Sequence, residues 1–216
     1  MKKSAMCQMP ARIETEADLA AGQAVLIACD TRFAPILAAT GPLPLRRQPD
    51  GFGALLAAIV GQQISTAAAA AIWARMAAGG LTQQSAILAA SDTDLRAAGL
   101  SRPKVAYARA LAGADLDYAS LRDMPTAAVV EQLTDLPGIG RWTAEIYACF
   151  ALGHADVFAA GDLALQVAAA RAFALPARPS EAVLRRMAQD WAPARAVAAR
   201  ALWAYYRIAT KGEGIA

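Results

Sequence analysis

Apolar positions recur with helical spacing along most of this chain, and the strict alternation that marks a half-buried strand is nearly absent. The pattern predicts helices over Ala17–Ala28, Thr31–Ala39, Phe52–Val60, Ser65–Ala77, Gln83–Ala90 and Asp92–Ala98. It continues with Pro103–Ala112, Thr126–Leu133, Arg141–Leu152, Leu163–Phe173, Ser180–Gln189 and Pro193–Ala209. Alanine dominates and leucine, arginine and glutamine are plentiful, so intrinsic propensity agrees with the spacing. The expected fold class is all-α. With 57% hydrophobic residues in 216, the chain can build a sizeable core, as one domain or two small lobes.

The interruptions set the organisation. Pro42, Pro44 and Pro49 break Gly41 to Gly51, which reads as a linker, and a second break falls at Gly153 to Gly161. Gly51 to Ala74 carries no formal charge and is long enough to span a bilayer. Gln62, Gln63, Ser65 and Thr66 sit at its centre, however, and a Gly-Gln-Gln break suits two soluble helices. Lys2 and Lys3 are followed by Ser4 to Asp18, which has no continuous apolar core and is cut by Pro10, Arg12, Glu14 and Glu16. That stretch does not read as a signal peptide, and the expected location is the cytoplasm, without membrane association.

Charge and cysteines change the picture only a little. The net charge is +3, but Arg96, Arg102, Lys104 and Arg109 occur with no acid between Asp94 and Asp115. Arg171, Arg178, Arg185, Arg186, Arg195, Arg200 and Arg207 dominate the last quarter. These residues are either solvated helix faces or a modest positive field suited to nucleic acid. Cys7, Cys29 and Cys149 are odd in number and far apart, so reduced thiols are expected. His154, the only histidine, lies in a connector and reads as a polar loop residue.

The stretch richest in chemistry is Leu136-Pro137-Gly138-Ile139-Gly140-Arg141-Trp142, followed by an apolar helix and by Asp162 after Gly161. Pro137 ends any preceding helix, and Gly138 and Gly140 admit backbone conformations closed to other residues. The N–H groups from Gly138 to Trp142 then stand at a helix start, where a phosphate is favoured; the competing reading is an ordinary turn between helices. Asp162 stands at the start of the Leu163–Phe173 helix, so it is also a candidate N-cap.

The segment Leu136 to Ala144 resembles the hairpin of the helix-hairpin-helix/GPD superfamily of DNA glycosylases, and in particular its alkylpurine branch, 3-methyladenine DNA glycosylase II. Asp162, twenty-two residues past Gly140, resembles that family's catalytic aspartate in type, spacing and preceding loop. Ala58-Ile59-Val60-Gly61-Gln62-Gln63-Ile64-Ser65 resembles the turn that carries the DNA-inserting wedge, and Trp191-Ala192-Pro193 with Trp203 resembles the last helix. The likeness spans roughly residues 50 to 207.

The resemblance implies two helical lobes: 51–155 with a helix-hairpin-helix at 126–152, and 1–50 with 156–216 carrying Asp162, with double-stranded DNA between them. It implies backbone binding by Gly138, Ile139, Gly140, Arg141 and Thr143, and a wedge at Gln62 and Gln63; the competing reading of both glutamines is that they cap the helix beginning near Ser65. Its base pocket maps to Trp142 and Trp203, with Tyr147 beside Ile146 at a position that is often aromatic in the family. Trp191 and Trp73 read instead as packing. A monovalent cation, Na+ or K+, held by the carbonyls of Thr134, Leu136 and Gly138 is a further expectation. No iron–sulfur cluster is expected, since the chain lacks four cysteines. A monomer is expected.

A carboxylate beside C1′ stabilises the positive charge that builds on the sugar as an N-glycosidic bond breaks. Strand-cutting relatives place a lysine after the hairpin arginine; here the residue is Trp142, which implies a monofunctional enzyme that uses water and leaves an abasic site. Two alternatives stay open at this stage. One is a helix-hairpin-helix DNA-binding protein in which Asp162 is only a cap; the other is a glycosylase for a different base lesion.

Overall fold

The uncharged stretch 51–74 breaks where the glutamines fall. Ser65 takes extended backbone and its hydroxyl accepts from the Ala68 N–H, which starts a new helix. Between the two helices Gln63 adopts a left-handed φ of 58°. The computed structural model describes residues 9–210. Among those residues it is helical without a strand; the only β pairing is a single antiparallel bridge between Arg12 and His154. The expectation of an all-α protein therefore holds. No helix among the described residues is long and apolar enough to cross a membrane.

The N-terminal stretch forms α1 (Glu16–Cys29) and α2 (Phe33–Thr40). Eight helices follow: α3 (Phe52–Gly61), α4 (Thr66–Ala78), α5 (Gln84–Ala89), α6 (Asp92–Ala97), α7 (Arg102–Gly113), α8 (Tyr118–Leu121), α9 (Thr126–Thr134) and α10 (Arg141–Tyr147). The chain ends with α11 (Leu163–Ala172), α12 (Glu181–Met187) and α13 (Arg195–Thr210). Local chemistry sets many of the starts: Thr15 with Asp18 and Ser91 with Asp94 form reciprocal capping boxes on α1 and α6.

Three elements differ from the pattern reading. The Arg141–Leu152 helix stops at Tyr147 and continues as a π-helical turn, Ala148–Leu152, where Arg200 Nη2 donates to the Cys149 carbonyl at 3.2 Å. Ser180–Gln189 divides into α12 and a 3-10 turn, Ala188–Trp191. The four-residue α8 carries too few residues for a periodic signal; it forms because the Asp117 carboxylate accepts from the Ala119 and Ser120 N–H groups.

The chain divides into two compact units, residues 48–147 and residues 1–47 with 148–216. The division expected from the sequence lay at 51 and 155, and both ends shift for identifiable reasons. Asp50 pairs with Arg122 at 2.7 Å, which ties the linker end to the middle unit. Ile13 N–H donates to the Gly153 carbonyl at 2.7 Å and Ala155 N–H to the Ala11 carbonyl at 3.1 Å, so residues 148–155 belong with the termini.

In the middle unit α3 packs on α4, α7 and α10, α5 on α7, and α9 on α10. Its core holds Leu55, Leu56, Ile59, Val105, Leu111, Val129 and Leu133. In the other unit α13 packs against α11, α2 and α1. The Trp191 ring is fully buried among Phe33, Phe158 and Phe173, with centroids 5.2–5.7 Å away. Trp191 is therefore a packing residue, as expected. Cys29 and Cys149 are unbridged thiols; Cys7, Lys2, Lys3 and Ser4 lie outside the described residues.

Candidate nucleic-acid interface and carboxylate site

The hairpin turn joins α9 to α10. Gly138 takes φ +86°, and a Cβ there would stand 2.3 Å from the Tyr107 ring, so two independent constraints demand glycine. Ile139 N–H closes the turn on the Leu136 carbonyl at 3.1 Å, and its side chain is buried. The Ile139 amide thus already has a backbone acceptor, and Ile139 holds the turn together. The amides that open α10, from Gly140 onward, are the ones a helix start presents.

Gln62 and Gln63 belong to the same surface. Both line a groove of about 670 Å³ together with Lys104, Tyr107 and the hairpin residues from Thr134 to Gly140. Gln62 Nε2 donates to the Gly138 carbonyl at 2.7 Å, whereas Gln63 is exposed. Lys104 Nζ donates to the Val60 carbonyl at 2.7 Å and the Gln62 carbonyl at 2.8 Å, capping the end of α3. Burial lowers the Lys104 pKa from its ordinary value.

Sequence reasoning placed Lys104 in a basic run and missed this role. Its contact with Gln62 spans 42 residues, and only its i, i+3 spacing to Tyr107 hints at a shared face.

The carbonyls expected to hold a cation also have partners within the turn. The Leu136 carbonyl accepts from Ile139 and the Gly138 carbonyl from Gln62, while the Thr134 hydroxyl donates to Val130 and Glu131 carbonyls. Amide donors thus stand at two of the three oxygens where a Na+ or K+ was expected.

Trp142, at the start of α10, leaves 46% of its surface exposed. Arg141 is exposed while its Nε donates to buried Glu145 at 3.1 Å, one helical turn on. Thr143 is buried. Tyr147 is also buried, and its hydroxyl accepts from the Gly51 N–H at 2.9 Å. Burial raises the Tyr147 pKa. The hydroxyl ties α10 to the start of α3, a local job that its place in the sequence did not reveal.

Asp162 lies in the other unit and is half-buried. Its Oδ1 accepts from the Leu165 N–H at 3.0 Å, the N-cap bond of α11, and from Trp203 Nε1 at 3.1 Å. Trp203 in turn packs on Phe150, with ring centroids 5.4 Å apart. The structure thus brings together two residues expected in separate roles, one carboxylate and one pocket aromatic.

Several basic residues have structural duties. Arg200 is 2% exposed, lies over the Phe150 ring and donates to Cys149 and Ala196 carbonyls. Arg195 pairs with Asp156, Arg185 with Glu181, and Arg109 with Asp92 and three backbone carbonyls. The positive field expected from the whole run is correspondingly smaller. His154 lies in its connector as expected and is buried there, with its backbone N–H on the Ala148 carbonyl at 2.9 Å.

These features coincide with a known sequence family. The HhH-GPD superfamily of base excision DNA repair proteins matches residues 56–194, which spans both Gly138 and Asp162, and the chain belongs to that family.

Individual relatives resemble it over most of its length. A DNA-3-methyladenine glycosidase from Bacillus halodurans is 32% identical and superposes with a TM-score of 0.80, over 89% of this chain and 91% of that one. The Schizosaccharomyces pombe 3-methyladenine DNA glycosylase Mag1, solved in complex with abasic DNA, is 26% identical with a TM-score of 0.73, covering 84% and 94%. The alkylbase DNA glycosidase-like protein mag2 of the same yeast is 26% identical over 204 residues, covering 87% of this chain and 94% of that protein.

Proposed function

We propose that this protein is a monofunctional DNA glycosylase that excises alkylated purines, 3-methyladenine and 7-methylguanine among them, as the first step of base excision repair. The observation that carries the reading is the Asp162 carboxylate, its Oδ1 held by Leu165 N–H and Trp203 Nε1, in a chain of the HhH-GPD superfamily. Its partner is double-stranded DNA. The Gly138 turn and the opening amides of α10 grip one phosphate, which fixes register without reading sequence.

The chemistry follows from charge. As the C1′–N bond lengthens, the sugar becomes cationic and the Asp162 carboxylate stabilises it. Water attacks C1′, its proton passes to solvent or carboxylate, and the base departs with the bonding electron pair. An alkylated purine already carries positive charge, so it leaves readily, and the Trp142 indole attracts it by stacking and cation–π interaction. The nearest lysine of the hairpin groove, Lys104, is committed to the Val60 and Gln62 carbonyls, which agrees with water rather than an amine as nucleophile.

One observation favours a second reading. The Leu165 N–H bond is an ordinary N-cap, so the fold alone would also suit a DNA-binding protein in which Asp162 only starts α11. Incubating the purified protein with methylated duplex and separating released bases by chromatography distinguishes the two. Release of 3-methyladenine is expected; binding without release supports the second reading.

A further inference from the structure

Gln62 and Gln63 are adjacent, yet their surroundings differ in kind. Gln62 is half-buried; its side-chain amide donates to the Gly138 carbonyl at 2.7 Å and its own carbonyl receives Lys104 Nζ at 2.8 Å. To fill a gap in a base stack, Gln62 would have to give up the Gly138 bond and pull against the Lys104 tether. Gln63 is exposed at the tip of the turn, in a left-handed backbone conformation, φ +58°, that side chains rarely adopt.

We infer that the two glutamines divide the work: Gln62, anchored by Lys104, is a positioning residue that holds the hairpin turn, and Gln63 alone enters the duplex. The inference deepens the reading of the hairpin as a phosphate clasp and rests on it.

The hairpin needs such a brace. Gly138 at φ +86° gives the turn a conformationally permissive centre, and an unheld glycine turn loses entropy when it docks on phosphate. Two groups remove that freedom beforehand: the Tyr107 ring packed against Gly138, and the Gln62 amide on its carbonyl. The amide donor stands at an oxygen where a monovalent cation was expected, so the chain's own side chain holds the turn there. Lys104 supplies the anchor, since its ammonium satisfies the last carbonyls of α3 and fixes the backbone from which Gln62 projects. The same tether fixes the residue before Gln63, so duplex insertion and phosphate grip share one rigid base.

The test uses the full-length protein and the variants Gln62→Met, Lys104→Met, their combination, and Gln63→Ala. Methionine keeps the length of either side chain and removes the donor. Hydrogen exchange read without DNA is expected to quicken at the amides of residues 138–142 in Gln62→Met and Lys104→Met, with the rest of the middle unit as in the parent. Binding to undamaged and abasic duplexes, followed by fluorescence anisotropy, is expected to weaken by about tenfold in each. The loss should fall on Kd rather than on the single-turnover rate at saturating enzyme, and the double variant should lose little more than either single one.

Gln63→Ala should instead lose the fluorescence rise of a 2-aminopurine placed beside the lesion, with parental hairpin exchange. The division is overturned if Gln62→Met abolishes that rise while hairpin exchange and undamaged-duplex affinity stay parental, or if the two Met losses multiply to about a hundredfold. Should hairpin exchange quicken with no change in DNA affinity, the clasp reading fails instead of the brace.

Discussion

Trp203 Nε1 donates a hydrogen bond to Asp162 Oδ1 at 3.1 Å across 41 residues of sequence. The same oxygen accepts the Leu165 N–H, so a local cap and a distant indole together fix the rotation of one carboxylate. Phe150 against the indole fixes the donor in turn. The carboxylate is thereby oriented before substrate arrives, which is how a charged group contributes most to a transition state.

Trp203→Phe keeps a ring against Phe150 and removes only the N–H. Single-turnover base release is expected to slow by about tenfold, the worth of one charge-assisted hydrogen bond, with affinity for abasic duplex retained. An unchanged rate would reduce Trp203 to a wall of the pocket.

Gly138→Ala meets both the positive φ and the Tyr107 ring. A stability loss of about 1–3 kcal/mol is expected from the backbone strain alone, read by denaturant unfolding. Affinity should fall equally on all duplex sequences, because phosphate contacts carry no sequence information. Adding Tyr107→Ala should recover part of the stability, the part owed to the ring.

Trp142→Ala removes an indole that is nearly half exposed. Excision of cationic 3-methyladenine should fall about five- to thirtyfold more than excision of neutral hypoxanthine, since cation–π attraction of about 1–2 kcal/mol is lost only for the charged base. Paired single-turnover assays check this, and equal losses would remove charge recognition from Trp142. In the parent protein borohydride should trap no protein–DNA adduct.

Much of this was legible in the sequence because it rests on local chemistry. The Gly138 turn and the Asp162 cap depend on residues within four positions of one another, and such signals survive without a structure, whereas the Ser65 cap was not read there. The partners of those residues do not: Gln62 reaches Gly138 over 76 residues, Lys104 reaches Gln62 over 42, and Trp203 reaches Asp162 over 41. Arg200 shows the limit most plainly. In sequence it reads as part of a basic run, yet packing on Phe150 and four backbone and sulfur acceptors bury it. The π turn after Tyr147 was hidden for the same reason, since its apolar residues satisfy an α-helical pattern equally well.

Asp30 offers a test of the fold that is independent of the site. It accepts from Trp191 Nε1 at 3.0 Å and pairs with Arg32 at 2.7 Å, and the Arg32 hydrogen bond, ahead of the Trp191 one, holds its carboxyl below the ordinary value of 3.8. A depressed folded pKa stabilises the protein above the unfolded value, and that contribution is lost as pH falls from about 3.8 through the lower folded value. Parent and Asp30→Asn should therefore differ in unfolding free energy at pH 6 and converge as pH falls through the lowered folded value.

The charge on Asp162 is the centre of the account, and Asp162→Asn isolates it. Asparagine caps a helix as well as aspartate does, so α11 and the melting temperature should be retained while the negative charge is gone. Single-turnover release of 3-methyladenine from a defined duplex should fall by about a hundredfold or more, with affinity for the same duplex retained or tightened. Release at the parental rate by a fully folded Asp162→Asn protein would contradict the catalytic assignment and leave Asp162 as a cap.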